Sequence, residues 1–281
     1  MTRTSNWRTG VAPVAAGLLL AALFATTPLG TQLDLWLNDR LSSAVAPAVD
    51  TGHALLVTID DESLGDLEPL TGAWPYGRDV WAHVIDFLRD AGATRTVINV
   101  LFAEPRIGDE QLRLAIERTP RVLLAAVLTP ETLTRDDASR AAIAGLGWRV
   151  PPVSPALAWA DVSSPRAGLM RPGGIAVASV QPDADGIVRR VSLLHRVNDT
   201  YLPPLSLAAL VEPLPEVRWQ STIGGGVLHV GGRSIATGPG GDVELWLPHA
   251  RAVPRTVSFA RVARAALTTT PDLELVESVL R

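Results

Sequence analysis

Residues 11–30, VAPVAAGLLLAALFATTPLG, carry no charged side chain over about the length that crosses a bilayer. A helix on the surface of a soluble domain needs a polar face, and this run has none. Arg3 and Arg8 precede it, and Asp34 and Asp39 follow it. The positive-inside bias therefore predicts a cytoplasmic N-terminus over 1–10, a transmembrane anchor over 11–30 and an extracytoplasmic domain over 31–281. A cleaved signal peptide shares the basic start and the apolar stretch, but Thr, Pro and Leu interrupt the small-residue pattern near Ala25–Gly30. The uncleaved anchor is the favoured reading, and both readings export the rest of the chain. The expected location is the inner (cell) membrane, with the domain in the periplasm or outside the cell.

The 281 residues are 47% hydrophobic and 19% charged, enough to bury a core and too apolar for global disorder. The net charge of −4 is mixed along the chain, so no nucleic-acid partner is expected. There are no cysteines, which excludes disulfides, thiolate metal sites and cysteine nucleophiles.

After the anchor, LDLWLNDRLSSAV (33–45) reads as a helix continuing from the membrane. ALLVTI (54–59) is a short apolar run with the character of a fully buried strand. In RDVWAHVIDFLRDAG (78–92), Val80, Trp81, Val84, Ile85, Phe87 and Leu88 share one arc at 100° per residue. Asp79, His83, Asp86 and Asp90 share the opposite arc, and Gly92 supplies the stop. TVINVLF (96–102) then reads as a second strand, parallel to the first through a βαβ crossover. A helix over 109–120 and a strand over 121–128 repeat the alternation. Further on, 136–147 has helical character, and the prolines at 151, 152 and 155 mark a loop. Strands are expected at 174–180, 186–197 and 242–248, and a hairpin at 227–237 with Gly231-Gly232 at its tip. Short helices are expected at 204–210, 258–268 and 271–280. The fold class is α/β: an N-terminal transmembrane helix, then a mixed sheet with a parallel βαβ core over 54–128 and antiparallel additions over 174–281.

The chemistry-bearing stretch is LVTIDDESLGDLEPLTGAWPYGR (56–78). Asp60, Asp61 and Glu62 follow the first strand, where ligands of open α/β sheets bind. Glu104 follows the second strand, and such hard oxygen donors suit Mg²⁺ or Ca²⁺. The plainer reading, and the favoured one, is that an acid there caps a helical turn beginning at DESLGDL. Arg78 is expected to pair with Asp60 or Asp61 across the long loop, in preference to binding a ligand carboxylate or phosphate. Asp183-Ala-Asp185-Gly186 lacks the later ligands of an EF-hand and reads as a turn. The five histidines have no metal-ligand spacing, and no Gly-x-Ser-x-Gly or phosphate-binding loop is present. No catalytic residue and no cofactor is assigned.

The order Ile59-Asp60-Asp61-x-Ser63-Leu64, Trp74-Pro75-x-x-Arg78, Ala82, Ile85, Leu88, Gly92-Ala93, Phe102 and Asp109 resembles the second type of CHASE domain. These are the extracellular sensory domains of bacterial membrane-bound cyclases, histidine kinases and related receptors. Asp183-x-Asp185-Gly186-x-x-Arg189 with Pro204-Leu205-Ser206-Leu207 resembles that family's middle section. Members carry Asp in the second strand where this chain has Asn99, which puts a ligand or metal role there in doubt. The resemblance implies a sensory input domain for an unknown extracellular ligand or partner protein, not an enzyme in itself. Its output would be an adenylate cyclase, histidine kinase, diguanylate cyclase or Ser/Thr kinase. The family continues into further membrane helices, so a sensor-bearing fragment or truncated member is expected. Asp60, Asp61, Trp74, Arg78, Asn99 and Glu104 are the candidate ligand-binding residues. Two other readings stay open: a membrane-anchored exported enzyme using a metal at Asp60, Asp61 and Glu104, and a ligand-free scaffold that oligomerises through helix 33–45; a homodimer is among the expected partners.

Overall fold

The computed structural model describes residues 7–46, 52–134, 137–152, 154–183, 185–245 and 254–268, which fall into two compact units. In the N-terminal unit, helix α1 (Trp7–Ala25) and helix α2 (Pro28–Val45) meet at Thr26-Thr27. Thr27 caps α2 by accepting the Gly30 N–H at 3.1 Å, and Pro28 sits at the first turn, where its missing N–H costs nothing. The uncharged run 11–30 is thus divided between two helices. No single helix among the described residues is long and apolar enough to cross a membrane. Pro13–Phe24 and Pro28–Val45 meet that requirement only as a pair bent by 86°.

The second unit carries the strands. β1 (Leu55–Thr58) leads into α3 (Asp61–Thr71), α4 (Arg78–Asp90) and β2 (Thr96–Ile98). α5 (Asp109–Arg118), β3 (Val122–Thr129) and α6 (Asp137–Leu146) follow. Then come β4 (Leu157–Trp159), β5 (Asp161–Ser163), β6 (Ile175–Val177), β7 (Arg190–Ser192), β8 (His195–Val197) and β9 (Thr200–Leu202). α7 (Leu205–Leu210) precedes the meander β10 (Val217–Thr222), β11 (Gly225–Val230), β12 (Arg233–Thr237). β13 (Asp242–Glu244), β14 (Arg255–Ser258) and α8 (Phe259–Leu267) close the described chain. The expected helix at 271–280 lies outside the described residues.

The amphipathic arc of α4 is realised: Val80, Trp81, Ala82, Val84 and Ile85 are buried, and His83 is exposed. Gly92 (φ 92°) turns left-handed, and Ala93 N–H reaches back to the Leu88 carbonyl at 2.9 Å, closing the helix. The sheet pairing differs from expectation. β1 does not pair with β2; it lies parallel to β14, with Leu55 opposite Arg255 and Thr58 opposite Ser258. The strand is accordingly half-buried rather than sealed, and Leu56 is exposed. The parallel βαβ unit is β2–α5–β3, one element later in the chain. Successive parts of β3 also pair with β6 in parallel and with β5 antiparallel. The antiparallel additions are β7–β13, β8–β9 and the β10–β11–β12 meander, whose second turn is Gly231-Gly232 as read from sequence. α4, α5 and α8 enclose one core of Leu67, Val84, Ile85, Phe102, Leu112, Ile116, Phe259 and Val262.

Candidate functional site

Where β1 ends, the backbone of Asp60 stays extended and its side chain turns onto α3. Asp60 Oδ1 accepts from the Ser63 N–H (2.9 Å), the Ser63 hydroxyl (2.7 Å) and the Ser258 hydroxyl (2.8 Å). The hydroxyl and amide of Ser63, followed by the Ser258 hydroxyl, hold the Asp60 carboxyl below the usual carboxylate range. Ser63 and Ser258 each also accept the Ala260 N–H, at 3.1 and 3.2 Å, which caps α8. The Tyr76 hydroxyl donates to the Ser63 carbonyl at 2.5 Å. One carboxylate oxygen thereby joins the N-termini of two helices nearly 200 residues apart in sequence. The capping reading of Asp60 is realised, and the helix it starts runs for 11 residues rather than one turn. Asp61 and Glu62 occupy the exposed first turn of α3, where negative charge favours the helix dipole.

The Trp-Pro-Tyr-Gly-Arg stretch is an aromatic wedge. Trp74 meets Tyr76 edge-on (5.1 Å), Tyr76 stacks on Phe259 (5.6 Å), and Trp81 links Phe259 (4.8 Å) to Phe102 (5.4 Å). Arg78, only 4% exposed, lays its guanidinium over the Phe102 ring at 4.3 Å. Its carboxylate partner is Asp109, not Asp60 or Asp61 as expected. Nε lies 3.4 Å from Oδ1, and the Glu104 carbonyl accepts from Nη2 at 3.4 Å. Burial lowers the Arg78 pKa, and Asp109 opposes that shift. Asp109 is in turn held by Arg166 (2.5 Å) and by the Arg106 N–H (3.2 Å). The Arg78–Asp109 pairing has a steric cause. Gly108, at φ 87°, brings the start of α5 against α4 so closely that a Cβ would lie 2.3 Å from the Asp79 nitrogen. Asp109 therefore reaches Arg78 first.

The six candidate residues fall into two groups. Asp60 and Arg78 are engaged internally, each with its own partners. Asp61, on the first turn of α3, Trp74, on the α3–α4 loop, and Asn99 and Glu104, between β2 and α5, are all exposed. Among the described residues no three His, Asp or Glu side chains are grouped so as to hold a metal ion, so Asp60, Asp61 and Glu104 do not form the hard-cation set that the alternative reading needs. Ser258, the Tyr76 hydroxyl and the role of Asp109 were not read from the sequence; only Asp109 left a trace, as the last residue of the recurring pattern. Asp183-x-Asp185-Gly186 does form a turn, with Gly186 at φ 84° donating to the Asp183 carbonyl. Both acids close on Arg189, which is 5% exposed, at 3.2 Å and 2.7 Å. That contact, aided by the Ile187 N–H, holds the Asp185 carboxyl down at about 2.

A protein-family model described as CHASE2 domain matches residues 15–278. No curated protein and no solved structure matches the chain.

Proposed function

The chain belongs to the CHASE2 family of extracellular sensory domains of signalling receptors, and from that premise we propose that it is the input domain of a bacterial transmembrane receptor. The observation that carries the reading is the family match across residues 15–278. A sensory domain of this kind works by differential binding: a ligand or partner protein with unequal affinity for two conformations biases the receptor toward one of them. The exposed rim of Asp61, Trp74, Asn99 and Glu104 is the surface on which such a molecule would act, with Asp60 and Arg78 fixing it from beneath. Movement there bears directly on α8, because Asp60 ties the start of α3 to the start of α8. The apolar face of α2, with Leu33, Trp36, Leu37 and Leu41 exposed, would supply the seam of a homodimer. The output domain would be one of the cyclase or kinase types that family members carry.

Residues 11–30 would anchor the chain with residues 1–10 in the cytoplasm, the orientation that the placement of Arg3 and Arg8 favours. Fusing the full chain at its C-terminus to alkaline phosphatase, and separately to green fluorescent protein, tests this in bacterial cells. The expected result is an active phosphatase, dark fluorescent fusions and material confined to the membrane fraction. Bright fluorescence with an inactive phosphatase would place the domain in the cytoplasm and overturn the receptor reading.

A further inference from the structure

The segment after α6 runs beside β9 and leaves an open cleft of about 600 Å³ within the second unit. Its shape depends on Gly147, where a Cβ would come within 2.4 Å of the Thr200 side chain and 3.1 Å of the Tyr201 carbonyl. Trp148 N–H then donates to the Tyr201 carbonyl at 2.8 Å, which holds this segment beside β9, and the following Arg149 lines the cleft. That turn presents Asp199. Arg149 and Asp199 both line the cleft and are exposed, and neither side chain has a hydrogen bond or ion pair among the described residues. Trp148, Val150 and Val217 supply an apolar wall. Ala144 and Gly145 belong to the last turn of α6, whose unpaired carbonyls favour a cation.

A second cleft of about 610 Å³ lies on the β10–β11–β12 meander, and it serves as a contrast. Its acid is already taken, Glu216 pairing with Arg218 at 2.6 Å, and His229 meets Ser234 at 2.9 Å, so beside Arg233 no free anion is left there among the described residues. In the Arg149–Asp199 cleft one cation and one anion stand without a hydrogen-bond or ion-pair partner among the described residues, so both are open to a ligand.

We propose that this cleft binds a small zwitterion of the amino-acid type, its carboxylate on Arg149 and its ammonium between Asp199 and the carbonyl end of α6. The guanidinium fork matches a carboxylate, and Asp199 with the helix end matches an ammonium group. The apolar wall receives the ligand's side chain, and the volume lies within the range of ordinary small-molecule sites. The assignment rests on the receptor reading, and it is separate from the rim at Asp61 and Trp74.

The test is isothermal titration calorimetry of the full chain in detergent micelles. The probes are glycine, L-alanine, L-glutamate, L-arginine and L-phenylalanine, with acetate and methylamine as half-ligands. At least one amino acid is expected to bind with Kd below about 1 mM, and each half-ligand roughly tenfold or more weakly. Arg149→Gln and Asp199→Asn are each expected to weaken that binding by about tenfold or more, with unchanged melting because both residues are exposed. Absence of binding by every amino acid, equal binding by both variants, or acetate binding as tightly as an amino acid would overturn the assignment. Loss of binding with the phosphatase fusion still active removes this cleft alone; an inactive phosphatase removes the receptor reading.

Discussion

Arg78 and Arg189 are both almost sealed from solvent, at 4% and 5% exposure, yet their charges are met differently. Arg189 has two carboxylates in hydrogen-bond contact, whereas Arg78 has one acid at 3.4 Å and the face of Phe102. Removing Arg78 takes away the only cation that the described residues place beside the buried Oδ1 of Asp109, leaving that acid to Arg166 as its one charged partner, and uncovers an aromatic ring. Arg78→Ala is therefore expected to cost roughly 3 kcal/mol in urea unfolding of the full chain, while Asp61→Asn, on the exposed first turn of α3, stays near zero. Equal midpoints for the two variants would show that Arg78 carries no structural charge. His195 raises a different question. It is 4% exposed on β8, its ring nitrogens have no partner among the described residues, and burial pushes its pKa down to about 4. Its folded pKa lies below the ordinary value of 6.5, so the unfolded chain takes up the proton first. Stability is unaffected above 6.5 and falls as the pH drops from 6.5 toward about 4, by on the order of 3 kcal/mol in total. Asp185, held at about 2, loses its stabilising charge only as the pH falls from 3.8 through that value, below the histidine's window. His195→Leu should flatten the slope of the urea midpoint between pH 6.5 and 4; a slope equal to the parent's would assign it to other groups.

At the scale of elements, what was legible in the sequence had a local cause. α4 was readable because its arc and its Gly92 stop are local facts, and the β11–β12 turn because Gly231-Gly232 sets it within two residues. α3 outruns the single turn read at DESLGDL although it contains Gly65 and Pro69, both poor helix residues. The Asp60 cap and the acids of the first turn offset them. The pairing of β1 was illegible for the opposite reason. A parallel partner needs no connecting turn, and the strand it chose begins at residue 255, where nothing nearby marks it. Two adjacent apolar strands around a strong helix pointed to a βαβ unit, and the chain built that unit from the next pair of strands instead. The site followed the same division. The Asp60 cap is a three-residue interaction and was read correctly, whereas the Ser258 hydroxyl that completes it comes from the far end of the chain. Arg78 was assigned to Asp60 or Asp61 across the loop, although the close approach at Gly108 delivers Asp109.

At the scale of the whole molecule, β1 and β14 bring the first and last of the described strands side by side. Thr58 Oγ1 donates to the Val257 carbonyl at 3.4 Å across 199 positions, and the Asp60–Ser63–Ser258 cluster continues the seam. A two-stranded pair has few ladder bonds, so its persistence rests on these side chains and on α8, which buries Phe259, Ala260, Val262 and Ala263. Any signal passing through the domain must either preserve this seam or slide it. The sequence offers a clean way to examine it, because the chain contains no cysteine to compete with an introduced pair. Leu56 and Thr256 are opposite one another in the parallel register, both exposed, and neighbouring strands lie within the reach of a disulfide. The double variant Leu56→Cys, Thr256→Cys is expected to oxidise to a single intramolecular bond, read as loss of free thiols and faster migration on a non-reducing gel. Closing so long a loop should raise stability by roughly 2–5 kcal/mol, lost on reduction. The single variants, which have nothing to pair with, should melt as the parent does. Thiols that stay free under oxidant in a folded double variant would show that the first and last strands are not held in this register, and the coupling from the rim through Asp60 to α8 would fall with it.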